Sequence, residues 1–264
     1  MPPSVHALLA PDEPPSVTVD RPDGASPFLL TCDHAAHRVP RRLGDLGVAE
    51  ADRLRHIGWD IGALAVARTV AMRLDATLVA AGYSRLVIDL NRPPGAPDWI
   101  PEISDGTPVP ANRNLAEDER AARVAALFDP YHGAISALLD RRRDAGRPTF
   151  LACIHSFTPR MRGRDRPWHV GACHGPDPAM ARLLADALRR DPALVVGVNQ
   201  PYSCSRTSDY AVPVHGDDRG LPSVLIEIRQ DQITDEAAAV AWGHRLADAL
   251  AAIERPLLEL GAGP

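Results

Sequence analysis

The sequence predicts an α/β fold in which strands and helices alternate around one core, and three observations carry that prediction. Short apolar, β-prone runs recur at residues 28–32, 77–80, 86–90, 149–155, 169–173, 194–198 and 223–228. Longer segments with helical spacing lie between several of them, at 52–74, 117–145, 178–190 and 235–253. The strand candidates are apolar at successive positions, which requires helices on both faces of the sheet and places ligand sites beyond the strand ends. With 264 residues and 45% hydrophobic content, the chain can bury one substantial core. Residues 1–24 are rich in Pro, Asp and Ser and show no periodicity, so they are expected to form an N-terminal arm, with residues 25–264 as a single domain.

Composition narrows the function classes. The balance of 29 basic and 34 acidic residues gives a net charge of −5, and no run of like charge exceeds the triplet Arg141, Arg142, Arg143. Neither nucleic acid nor an anionic membrane is therefore an expected partner; a small polar molecule is. Every basic residue is arginine, which excludes Schiff-base chemistry on lysine. Cys32, Cys153, Cys173 and Cys204 lack C-x-x-C spacing and are expected to be reduced, buried thiols of a cytoplasmic protein. No window approaches the roughly 18 apolar residues of a membrane span.

The first strand runs into Asp33-His34-Ala35-Ala36-His37, and a later one ends in His155-Ser156. Neutral imidazoles from two separate strands can converge on a divalent ion, and a zinc site needs about three protein ligands with a position left for water. His34 and His155 are the leading ligand candidates. For the third position two residues compete. Asp60 falls on the apolar stripe of the 52–74 segment, marked by Leu54, Ile57, Ile61 and Leu64, and an inward carboxylate must be paired or bound to metal. His37 is its rival.

Glu227 interrupts the otherwise apolar run 223–228. A hydrolase needs a carboxylate to accept a proton from the attacking water and return it to the leaving nitrogen, and Glu227 suits that role; pairing with an arginine is the structural alternative. The segment Ser84-Arg85 through Asp89-Leu90-Asn91-Arg92 sets two arginines and an asparagine around another apolar run. Arginine presents a planar fork to a carboxylate, so Arg92 with Asn91 could hold one in the substrate and Arg85 could stabilise an oxyanion, unless Arg85 merely pairs with Asp89. Arg160, Arg162 and Arg164 are further candidates for an acidic substrate group. Cys32 or Cys153 beside a histidine leaves a thiol nucleophile as a lesser possibility.

Taken in order, Cys32-Asp33-His34-Ala35, Gly58-Trp59-Asp60-Ile61-Gly62, Ser84-Arg85, Asp89-Leu90-Asn91-Arg92-Pro93, His155-Ser156-Phe157-Thr158-Pro159, Arg166-Pro167-Trp168, Asn199-Gln200-Pro201-Tyr202-Ser203 and Glu227-Ile228-Arg229-Gln230-Asp231 resemble the N-formylglutamate amidohydrolase family. The resemblance spans most of the chain. It implies a three-layer α/β/α sandwich around a mixed, about eight-stranded sheet, related to zinc carboxypeptidases and aspartoacylase. It also implies one zinc ion, for which His34, His155 and Asp60 are the first-choice ligands, with Glu227 and Arg85 catalytic and Asn91 and Arg92, joined by Tyr202, binding substrate. The relatives carry His-x-x-Glu where this chain has His34 followed by His37, so the third ligand stays open between Asp60 and His37. The implied reaction is hydrolysis of an N-acyl, above all N-formyl, amino acid. Its rivals are a metallo-carboxypeptidase or amidase using the same site on a peptide, and a non-catalytic binding protein for an acidic metabolite.

Overall fold

A computed structural model describes residues 7–261. Seven strands form its central sheet: β1 Val17–Asp20, β2 Phe28–Cys32, β3 Thr77–Ala81, β4 Phe150–Phe157, β5 Val170–Cys173, β6 Val196–Val198 and β7 Ser223–Arg229. Their spatial order is β1-β3-β2-β4-β7-β5-β6. The centre, from β3 to β7, is parallel; β1 on β3 and β5 on β7 run antiparallel. The sheet is thus mixed, with seven strands among the described residues where about eight were expected.

Helices α1 Ala63–Leu74, α4 Ala179–Leu188 and α5 Glu236–Gly261 cover one face, packing on Phe28, Leu30, Leu78, Ile154 and Ile226. The other face meets a π-helical turn Val124–Phe128, which continues α2 Glu117–Arg123, and α3 Asp129–Asp144; the turn and α3 pack with the loops on Leu29, Val79, Leu151 and Leu225. Alternate residues of the central strands enter opposite clusters, as a sheet buried on both sides requires. Three layers result, as the sequence predicts.

Three sequence expectations are corrected. Residues 86–90 are buried but form turns, not a strand. Their carbonyls are satisfied by side chains, since Asn112 Nδ2 donates to Leu86 O at 2.8 Å and Arg123 Nη1 to Val87 O at 2.8 Å. No neighbouring strand is then needed to bury that backbone. The 52–74 segment is not one helix: a single turn at Glu50–Arg53 is separated from α1 by an irregular stretch. Gly62, at φ 79°, caps α1 in the left-handed region, and a Cβ there would lie 2.4 Å from Ile233 O. Asp60 therefore reaches the interior from a turn and not along a helical stripe, while Leu54 is 41% exposed. Finally, the N-terminal segment contributes β1, whose four residues cover the outer edge of β3.

Among the described residues no helix is long and apolar enough to cross a membrane. Short two-stranded ribbons, Ile103–Ser104 with Thr107–Pro108 and Arg160–Met161 with Arg164–Asp165, stiffen two loops at the rim of the site.

Candidate active site

The site stands where the parallel strands end. Glu227 on β7 is the ladder partner of His155 on β4, and both share the sheet face lined by Cys153 and Leu225. His34 follows β2 directly, and the turn before α1 is tied to it by Asp60 N–H donating to His34 O at 2.9 Å. Three groups from distant sequence thus meet. Donor atoms of His34, Asp60 and His155 lie within 4.8 Å of one another, all buried. The two imidazole rings are 5.0 Å apart, centroid to centroid.

Both histidines turn Nδ1 toward the same oxygen of Asp60, at 3.3 Å from His34 and 2.8 Å from His155. Their Nε2 atoms face other carboxylates, Asp89 at 2.7 Å from His34 and Asp33 at 3.3 Å from His155. Hydrogen-bonded to the remote nitrogen of His34, Asp89 fixes its tautomer and ring plane, the arrangement found around metal-binding histidines, whereas Asp33 faces His155 as an ion pair without hydrogen-bond geometry. Burial alone would lower the His155 pKa, yet the Asp60 hydrogen bond and the charges of Asp33 and Asp60 raise it well above the ordinary range. His34 shifts the same way: burial and Arg85 oppose, but Asp89 and Asp60 prevail. Asp60 moves oppositely; burial pushes it up, and the two imidazoles carry it far below the usual carboxylate range. Two imidazole nitrogens and a carboxylate fit a divalent ion of the zinc type.

Glu227 is 6% exposed and its Oε2 has no hydrogen-bond partner. Burial pushes its pKa up to about 7, against the lowering pull of His155. A carboxyl group so placed can take and return a proton near neutral pH. Arg85 commits Nε and Nη2 to Asp89, at 3.0 and 2.5 Å, and its Nη1 lies 3.5 Å from Asp60. The sequence alternative of an Arg85–Asp89 pair is thus realised at the site itself, between a half-buried guanidinium and a buried carboxylate.

A cavity of about 520 Å³ collects these groups: His34, Asp60, His155, Glu227, Arg85, Asn91, Arg92 and Tyr202 all line it. Asn91 Oδ1 accepts from Tyr210 and Ala211 N–H, both at 3.0 Å, and its Nδ2 spends one hydrogen on Asp209 at 3.3 Å. Arg92 bonds Asp98 through Nε at 2.6 Å and the Ser208 carbonyl through Nη1 at 2.7 Å. These bonds hold the 208–211 loop against the cavity and leave Arg92 Nη2 available. Tyr202 accepts from Arg166 Nη1 at 2.9 Å and lies beneath its guanidinium, 4.9 Å from ring centroid to Cζ.

Other candidates separate. His37 is exposed against Trp59, ring to ring 5.1 Å, apart from the cluster. Among the three rim arginines only Arg162 lines the cavity; Arg160 faces Asp165 at 3.6 Å. All four thiols are buried, and burial pushes those of Cys32 and Cys153 far up, so neither supplies a thiolate nucleophile. Asp33, although it sits within the first motif, and Tyr131 carry no sequence signal of a role.

Gly171 on β5 lies opposite Glu227, and a Cβ there would come within 1.8 Å of Gln200 O. Only glycine lets the segment bearing Tyr202 close over β5. Gly171→Ala is expected to cost about 1–3 kcal/mol, read from denaturant unfolding, because backbone must move.

The sandwich and its cluster of buried histidines and acids at the strand ends define a hydrolase. A sequence profile of the N-formylglutamate amidohydrolase family matches residues 26–234, and the chain belongs to that family. A relative described as N-formylglutamate deformylase, from Pseudomonas putida, is 27% identical over 254 residues, 89% of this chain and 92% of its own. A crystal structure of a gene product from Agrobacterium tumefaciens superposes with a TM-score of 0.90 at 35% identity, covering 96% of this chain and 99% of that one. The crystal structure of N-formylglutamate amidohydrolase from Ralstonia eutropha shares the fold, with a TM-score of 0.68 at 20% identity and coverage of 92% and 98%.

Proposed function

We propose that the chain is a zinc-dependent amidohydrolase that releases formate from an N-formyl amino acid, with N-formyl-L-glutamate, the substrate in its relatives' names, as first choice. The observation that carries this reading is a buried glutamate of raised pKa beside the His34, Asp60 and His155 donors in one cavity. Zinc bound by His34 and His155 through Nδ1 and by Asp60 would act as a Lewis acid toward the scissile carbonyl and make nearby water more acidic.

The protein's own groups do the rest. Glu227 accepts the proton of the attacking water and delivers it to the departing nitrogen, so water is added across the C–N bond and formate and a free amine leave. Arg85, fixed by Asp89, turns its Nη1 toward the oxygen on which negative charge gathers, a contribution of roughly 3 kcal/mol for a preorganised donor. Arg92 Nη2 and the second Nδ2 hydrogen of Asn91 grip the α-carboxylate and keep the formyl carbon in register. Tyr202 packs on the remainder of the substrate.

Metal analysis of the purified protein, combined with a screen of N-formyl and N-acetyl amino acids, tests the proposal. One zinc per chain with formate release from N-formyl-L-glutamate is expected. Release of C-terminal residues from peptides without formate would replace it with the carboxypeptidase reading. Tight binding without turnover in metal-replete protein would mark a binding protein.

A further inference from the structure

We infer that Asp33 and Tyr131 are positioning residues for the candidate metal site, acting through His155 to set how tightly the triad takes up a divalent cation. This rests on the metal reading above. The last ladder pair between β2 and β4 is Thr31 with Cys153, and two residues further along the same register brings Asp33 beside His155. Asp33 immediately precedes one candidate ligand, His34, yet its carboxylate serves the other: its Oδ2 lies 3.3 Å from His155 Nε2, the ring nitrogen turned away from Asp60. Its Oδ1 accepts the Tyr131 hydroxyl at 2.5 Å.

The two residues are 1% and 0% exposed, and neither lines the cavity, so neither meets substrate. Tyr131 comes from α3, which packs on the sheet face that carries His155, whereas Asp60 comes from the turn before α1. His155 thus meets a carboxylate at each ring nitrogen: Nδ1 is hydrogen-bonded to Asp60, and Nε2 faces, across an ion-pair distance of 3.3 Å, an Asp33 carboxylate that Tyr131 anchors to α3. A buried carboxylate is costly unless its charge is used, and beyond Tyr131 the imidazole is what Asp33 faces. Backing of this kind raises the ligand's basicity and removes its rotational freedom before the ion arrives.

The test compares wild type, Asp33→Asn and Tyr131→Phe. It reads zinc dissociation constants by chelator competition, the visible absorption of the cobalt-loaded protein, and thermal midpoints without metal. Asp33→Asn should weaken zinc binding by about 10–100-fold and shift the cobalt bands at unchanged stoichiometry. Tyr131→Phe, which removes only a hydroxyl, should do so by a smaller factor of about three to ten, and it decides the matter if Asp33→Asn does not fold. Variants that lose metal-free stability while binding zinc as tightly as wild type, with the same cobalt spectrum, would overturn the inference and leave the metal reading standing. A wild-type protein that takes up neither ion would remove the metal reading and this inference with it.

Discussion

Glu227→Gln is expected to lower kcat by about 10²–10⁴-fold, since the amide keeps the shape of the side chain but cannot accept a proton. Zinc content and KM should hardly change, because Glu227 is not among the three clustered donors. The pH profile sharpens the test. Glu227 must be ionised to act as base, and burial raises its pKa to about 7, so kcat/KM should fall on the acid side of a limb at or below that value. The sign follows from the charge: protonation removes the base, and a cation on the neighbouring triad favours the carboxylate and moves the limb down. In the Gln variant this limb should vanish. Full turnover by a metal-loaded Glu227→Gln protein would exclude Glu227 as the proton carrier.

Stripping the metal with a chelator should abolish hydrolysis, and a stoichiometric return of zinc should restore it. The same treatment should lower the thermal midpoint. An ion held at one hundred times its Kd stabilises the fold by about 2.7 kcal/mol, or roughly 5–10 °C for a chain of this size. His155→Ala should reproduce the loss without rescue, as it deletes a donor and leaves Asp60 and Asp33 with one fewer counter-charge. Undiminished hydrolysis in protein shown by elemental analysis to lack metal would refute the cofactor assignment.

The parts of the fold that were legible are those in which burial alone sets the pattern. The runs around Leu29, Ile154 and Ile226 are apolar because helices cover both faces, and they are strands where the sequence predicts strands. Leu86 to Leu90 show the limit of that signal, since a buried run is equally apolar when side chains such as Asn112 and Arg123 satisfy its carbonyls. Val17–Asp20 escaped notice because a four-residue edge strand, half-buried throughout, leaves little periodicity to read.

In the site, Asp60 was found by a spacing that does not exist. Its inward position follows from the Gly58–Gly62 turn, and the signal that survives is a carboxylate among apolar neighbours. Arg85 is legible both as a candidate functional group and as the partner of Asp89, and the structure shows the pairing at the cavity wall. Asp33 had no readable role. What it touches depends on the offset between β2 and β4, which pairs residues more than a hundred positions apart in the sequence and leaves no local trace.

That same parallel centre has a kinetic consequence. β2, β4 and β7 are neighbours in space but come from the beginning, middle and end of the polypeptide. Closing such long loops is entropically slow, and mixed topologies rich in non-local contacts cross higher barriers than helical bundles. Catalytic competence must then be among the last properties gained during refolding, appearing only once the final strand has docked, well after most helical signal has returned.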